Sequence, residues 1–334
     1  MKNRESVVAG VIRGETINLD EFENPKGVYD FLNYYEMDLY AKTSNEDLAT
    51  KISCLNAINE NNSNIFGEQM EIIREELVKN DISYCILVGI PFTKRYHNGD
   101  KRRFQEDIDY FVSERDMEAI NKIMVSLGYH RWNVDDKKKH ITYINEGKTG
   151  QDTSRNGRCA VKFYRRLTDP QYTKIGFDEI KQNIEEYEGY RVLIPEMALL
   201  HLILHTHYYD FHPKIMCDIY AIISSGIIDI EKFYDLVDKF GVMKLARIVF
   251  GVLDRIGFVS NDFKREDVQE SFICDILASK KYWEAIFTRL DKNELTLLRC
   301  YLFNETDYRE RFNKVKMAGL ERRVSPMREE FIVK

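Results

Sequence analysis

No CxxC pair, no HExxH motif, no apolar run long enough to cross a bilayer and no surplus of positive charge occur in this 334-residue chain. Each absence removes a class of function. The six cysteines (Cys54, Cys85, Cys159, Cys217, Cys274, Cys300) are dispersed. They read as reduced, mostly packed thiols of an intracellular protein, not as a disulfide framework or a zinc site. Cys85, Cys159 and Cys217 fall in apolar runs, where packing accounts for them. A formal net charge of −6 at pH 7 argues against a general nucleic-acid binder, while leaving room for local basic patches. The opening MKNRESVVAGVIRGE has too short an apolar stretch for a signal peptide and no small-residue cleavage site. Without a membrane-spanning run, the expectation is a soluble, cytoplasmic protein. Internal repeats and low-complexity tracts are missing too.

What is present is ample apolar content, 44% of residues, enough for one large domain or two modest ones. The first eighty residues read as helical, with Val7, Val8, Val11 and Ile12 on one face and Phe31, Tyr34, Tyr35, Met37 and Leu39 more loosely grouped. The run Asn59–Asn64 reads as a turn or loop by composition. Met70, Ile72, Ile73, Leu77 and Val78 then predict an amphipathic helix that stops at Lys79-Asn80, Asn being its C-cap. From there the pattern becomes strand-like. Tyr84–Val88 is a buried strand broken by Gly89, and 107–112 is a second strand. A helix from Met117 to Leu127 stops at Gly128, with Ser113 or Asp116 as its N-cap. His140–Ile144 and Arg158–Tyr164 read as strands joined by a polar loop over 145–157. Arg191–Ile194 is a short strand ending at Pro195, and the chain is mostly helical from there to about Leu320, before a charged tail. The expected class is α+β. An N-terminal helical region (1–80) packs on an α/β core with a small mixed sheet (81–195), and a helical region follows (196–334).

The most informative stretch is Arg103-Phe104-Gln105-Glu106-Asp107-Ile108-Asp109-Tyr110-Phe111-Val112. Strand side chains alternate faces, so Asp107 and Asp109 point the same way while Ile108 and Phe111 can turn to a core. Two like charges on one rigid strand repel. Mg²⁺ removes the conflict, because it takes hard oxygen ligands and is held by one or two carboxylates plus substrate phosphates. Gly89 lets backbone N–H groups approach a triphosphate. The basic residues between the strands (Lys94, Arg95, Lys101, Arg102, Arg103) can neutralise its charge. Asp-x-Asp by itself also occurs on solvated strands, and the residue types leave both readings open.

The order of these segments resembles the uncharacterised nucleotidyltransferase family of the polymerase-β-like superfamily. The matching features are Val88-Gly89-Ile90, Arg103 ahead of Asp107-Ile108-Asp109, Leu127-Gly128-Tyr129, Ile194-Pro195-Glu196, and His205 with Asp218, over roughly 70–225. The resemblance implies a polymerase-β-like core and a Mg²⁺-dependent transfer of NMP from an NTP to an acceptor hydroxyl. It implies Asp107 and Asp109 as catalytic metal ligands, and Gly89, Arg103, His205 and Asp218 as candidate substrate-binding residues, which Lys94 joins from the basic run between the strands. Arg103 reads either as a phosphate ligand or as a structural ion pair with Glu106 or a helix end. The acceptor stays open among an aminoglycoside-like small molecule, an RNA end, a protein side chain and a peptide product. Two positions depart from the pattern. Val88 stands where the family often has Lys, and Lys162, in Val161-Lys162-Phe163-Tyr164, stands where the third acid belongs. A charged lysine cannot bind a metal. It can contact phosphate or pair with Asp107 or Asp109, with Glu146 or Asp152 as substitute acids. Lys162 also carries the alternative reading, a catalytically altered member that acts as a nucleotide-binding or protein-interaction module.

His201 and His205 sit one helical turn apart, half of a zinc site in principle. Their apolar surroundings favour His205 as a core histidine bonded to Asp218, with His201 partly exposed. The Tyr34-Tyr35, Tyr187–Tyr190 and Tyr208-Tyr209 stretches can stack a base, but read first as packing aromatics. The run Asp135-Asp136-Lys137-Lys138-Lys139 reads as a solvated hairpin end.

Overall fold

Alternating burial along the strands and helical periodicity on either side give a central sheet with helices on both faces. The computed structural model describes residues 4–255, apart from 35, 101, 104–106, 133–139, 146–158, 169–172, 174 and 207–212, together with Phe263. Glu146, Asp152, His207, His212, Tyr208-Tyr209, the 135–139 charge run and the helices expected beyond 255 therefore lie outside the described residues.

The chain begins with α1 (Arg4–Ile12), β1 (Ile17–Asn18), α2 (Pro25–Tyr34), β2 (Ala41–Lys42) and the long α3 (Glu46–Lys79). The central part follows: β3 (Tyr84–Ile86), α4 (Ile90–Tyr96), β4 (Asp107–Val112), α5 (Met117–Ser126), β5 (His130–Arg131), β6 (His140–Asn145) and β7 (Cys159–Tyr164). Next come α6 (Phe177–Ile180), β8 (Ile184–Tyr187), β9 (Tyr190–Leu193), α7 (Pro195–Thr206), α8 (Pro213–Ser224), α9 (Ile230–Lys239) and α10 (Met243–Arg255). β1 and β2 form a small parallel pair. The other strands make one mixed seven-stranded sheet in the order β5-β6-β7-β4-β3-β9-β8. β4 is central, antiparallel to β3 and parallel to β7. This is the α+β architecture with a small mixed sheet that the sequence implies.

Strand alternation divides the core in two. On one face Tyr84, Ile86, Ile108, Tyr110, Val112, Ile141, Tyr143, Val161 and Phe163 meet Phe66, Met70, Ile73 and Leu77 of α3 and Ile120, Ile123 and Met124 of α5. On the other, Cys85, Leu87, Phe111 and Tyr164 join the core of α1, α2, α7, α8 and α10. Ile108 and Phe111 thus serve two different cores, and Phe111 shares its face with the aspartates. α7 is apolar nearly all round and almost wholly buried, as a helix without a polar face must be.

Several expectations change. The asparagine-rich run is not a loop but the middle of α3. Its buried residues Ile52, Asn59, Asn62, Phe66, Gln69, Met70, Ile73 and Leu77 keep helical spacing straight through it, so packing overrides the weak helix propensity of Asn. The C-cap at Asn80 is as expected, its N–H donating to the Glu76 and Val78 carbonyls. The segment after Gly89 forms α4, which carries Lys94 and Arg95, and β8 adds an edge strand. Between β8 and β9, Glu188 (φ 49°) and Gly189 (φ 81°) make a tight hairpin turn with both central residues left-handed.

Phe163 is fully buried, stacked on Tyr110 at 5.2 Å and edge-on to Tyr143 at 5.8 Å. Phe163→Ala is expected to lower the unfolding free energy by about 3–5 kcal/mol, read from urea denaturation.

Candidate functional site

Asp107 and Asp109 project from the first half of β4, on the face they share with Phe111. β7 runs parallel alongside, with Lys162 the Cα partner of Asp109. The Lys162 ammonium reaches diagonally to Asp107 Oδ2, and both side chains remain about a quarter exposed. Three alternating charges thus occupy one half-open face, two carboxylates and one ammonium. On the other side of β4, the Leu87 N–H donates to the Asp109 carbonyl at 3.0 Å. The chain then turns at Gly89 (φ 113°, ψ −147°), a conformation that excludes side-chain-bearing residues. Because β3 and β4 are antiparallel, this turn lies at the sheet end where the carboxylate strand begins.

Among the described residues no group of three or more His, Cys, Asp or Glu is arranged to hold a metal. The carboxylate pair instead offers two hard oxygen donors, which suits an ion that takes its other ligands from phosphate and water. The donor set fits Mg²⁺, with Lys162 as a competitor for Asp107.

Arg103 and Asp218 form a second cluster. Arg103 Nε and Nη2 donate to Asp218 Oδ1 and Oδ2 at 2.7 and 2.8 Å, and His97 Nε2 lies 2.8 Å from Oδ1. All three side chains are less than 10% exposed. The guanidinium also sits over the Phe92 ring at 5.1 Å. Burial alone would raise the Asp218 pKa, but the Arg103 charge and its hydrogen bonds hold this carboxyl well below the usual range. Neighbouring Cys217 is buried, and burial followed by the Asp218 charge pushes its thiol up to about 12. It is a packing residue, as its sequence context implies.

Of the other expected site residues, Lys94 pairs with Glu188 at 2.9 Å, on the β8–β9 turn. His205 lies edge-on to His201, with ring centroids 4.9 Å apart, while Asp218 is taken by Arg103 and His97. The exposures are also reversed: His201 is buried and His205 is partly exposed. The structure therefore brings Asp107, Asp109 and Lys162 together, and separately Arg103 and Asp218. Sequence reasoning missed His97 and the Arg102–Asp100 pair. Arg102 also donates to Thr16 Oγ1 at 2.9 Å and to the Gly14 carbonyl at 3.0 Å, tying this segment to the N-terminal region. No local signal marks the contacts of His97 with Asp218 or of Arg102 with Thr16, whose partners lie 121 and 86 residues apart, whereas Arg102 and Asp100 are only two residues apart.

A family model described as an uncharacterised nucleotidyltransferase matches residues 36–256. The match spans β4, Gly89, Lys162 and Asp218. No curated protein and no solved structure matches the chain.

Asp218→Asn leaves the buried Arg103 guanidinium without its counter-charge, and a loss of about 3–5 kcal/mol at neutral pH is expected from denaturant unfolding. The pH dependence has a definite sign. The folded-state pKa is depressed, so the stabilisation is complete above the ordinary value of 3.8 and is lost as pH falls below it towards the folded value. The variant is expected to have a flatter acid limb in its stability–pH profile than the wild type.

Proposed function

The chain belongs to the uncharacterised nucleotidyltransferase family, and from that premise we propose that it moves a nucleoside monophosphate from an NTP to an acceptor hydroxyl with Mg²⁺ held by Asp107 and Asp109. Family membership supports nucleotidyl transfer as the general chemistry and an NTP as substrate. The observation that carries the finer reading is the pair of aspartates on one half-exposed face of a central strand, beside a glycine-only turn. Mg²⁺ bound there would stabilise the charge that shifts towards the departing pyrophosphate.

The chain's own residues supply positioning. Gly89 keeps the turn free of a side chain, so a triphosphate can approach the backbone. Lys162, anchored in β7, presents its ammonium at the same face and can transfer it from Asp107 to a phosphate oxygen. Rigid strands on both sides of β4 hold these groups in fixed register, which is where most of the rate in phosphoryl transfer comes from. Arg103 and Asp218 serve this reading from behind, by fixing the chain ahead of β4.

The Lys162–Asp107 pair also favours a second reading, a member that binds nucleotide without turning it over. A third carboxylate ordinarily helps hold a second metal or acts as base for the attacking hydroxyl, and Lys162 can do neither while charged.

Calorimetric titration of the four common NTPs, with and without Mg²⁺, separates these readings when combined with a pyrophosphate-release assay. Metal-dependent binding is expected in the wild type and not in Asp107→Asn/Asp109→Asn, with transfer reduced on the order of 10²–10³-fold or more. Unchanged binding and transfer in that variant would overturn the assignment. Binding without release, with release gained by Lys162→Glu, would select the second reading.

A further inference from the structure

On the carboxylate face an ammonium already meets one of the two carboxylates. Asp107 and Asp109 share one side of β4, and the Lys162 ammonium is bonded to Asp107 from the adjacent strand. Lys162 is held in register directly beside Asp109, so its ammonium lies on the same face as both carboxylates. On its other side β7 is paired with β6, where Thr142 is the Cα partner of Lys162 and is buried. The lysine backbone is therefore fixed on both sides, and only its side chain can move.

A free divalent cation meets two obstacles here. It must break the Lys162–Asp107 bond, and it must then sit beside an ammonium that has lost its Asp107 acceptor. At a site only a quarter exposed, a dication and an ammonium side by side repel more strongly than they would in bulk water. A metal that arrives already bound to a triphosphate changes the balance. The phosphate oxygens bring negative charge for the metal and a new acceptor for the ammonium, so the lysine exchanges one charge-assisted hydrogen bond for another.

We infer that Lys162 is the built-in counter-ion of the Asp107–Asp109 pair, and that a divalent cation occupies this pair only together with a triphosphate, which draws the ammonium off Asp107. The inference rests on the nucleotidyl-transfer reading for the identity of the ligand, and on the Lys162–Asp107 geometry for everything else. It makes Lys162 a selector of the metal's form, excluding the free ion and admitting the nucleotide complex.

The test is Mn²⁺ binding to the nucleotide-free full chain, followed by electron paramagnetic resonance, for the wild type, Lys162→Met, Lys162→Arg and Lys162→Met/Asp107→Asn. The α,β-methylene analogues of the four common NTPs are titrated separately with Mg²⁺. Lys162→Met is expected to bind free Mn²⁺ about tenfold or more tightly than the wild type. Lys162→Arg, which keeps the charge, should exclude the ion as the wild type does, and adding Asp107→Asn should abolish the gain. Equal Mn²⁺ affinity in wild type and Lys162→Met overturns the inference. So does saturable Mn²⁺ binding to the wild type that the analogues do not strengthen, a result that needs no variant to fold. If circular dichroism shows Lys162→Met unfolded, Lys162→Gln takes its place. Normal Mg²⁺–analogue binding with no Mn²⁺ gain in the variant removes the role of Lys162 alone. A Mn²⁺ gain without any analogue binding keeps Lys162 as counter-ion and removes the nucleotide reading.

Discussion

Arg103 and Asp218 face each other in two parallel hydrogen bonds across 115 residues of sequence. Both are nearly inaccessible to water. A buried charge that loses its partner costs several kcal/mol, so neither side chain can leave while the other stays. That constraint fixes the chain ahead of β4 to α8. α8 packs in turn on α1 and α7, within the same apolar cluster as Cys85, Leu87 and Phe111 of the sheet. His97 adds a third bond to the same carboxylate, and Arg102 reaches the Gly14 carbonyl at 3.0 Å. Arg103 and Arg102, which precede the carboxylate strand in sequence, are therefore tied to α8 and to the segment after α1.

The sheet explains why the site is open on one face only. On the α3 and α5 side, aromatic rings of Tyr110, Tyr143 and Phe163 fill the space completely. On the other side the apolar residues Phe111 and Tyr164 occupy the later part of β4 and β7, while Asp107, Asp109 and Lys162 occupy the earlier part. The change from apolar to charged along a single strand face marks where the helix-packed core gives way to a partly exposed surface. Two aspartates there would repel each other in an empty site. The ammonium from β7 relieves that repulsion and makes the ligand-free state tolerable.

Much of this was readable in residue order. Alternation placed Asp107 and Asp109 on one face, the break at Gly89 marked the turn, and the apolar run around Leu199–Leu204 identified a core helix. Local composition misled at 59–64, because asparagine favours turns on its own, whereas here a buried stripe from Ile52 to Leu77 keeps its helical period. His201 and His205 exchanged exposures for a related reason. The sequence shows that a helix is surrounded by core, but not which side faces a gap. The partner of Asp218 was beyond reach as well, since a residue's neighbour across more than a hundred positions leaves no trace in spacing.

The basic segment from 94 to 103 shows how far such long-range pairing alters a chemical reading. As a string of residues, Lys94, Arg95, Arg102 and Arg103 make a cradle for phosphate. In the fold each meets a carboxylate: Glu188, Glu185, Asp100 and Asp218 in turn. Arg95 lies in addition over Tyr187 at 5.1 Å, which engages one of the tyrosines otherwise free to stack on a base. The Arg103–Asp218 pair is buried, whereas the Lys94–Glu188 pair is about half exposed. Lys162 differs from these basic residues in that its partner, Asp107, lies on the carboxylate face of β4. A lysine in place of an acid is in this light a redistribution of charge. Lys162 places a positive charge on the face that carries Asp107 and Asp109, at a register fixed by β7.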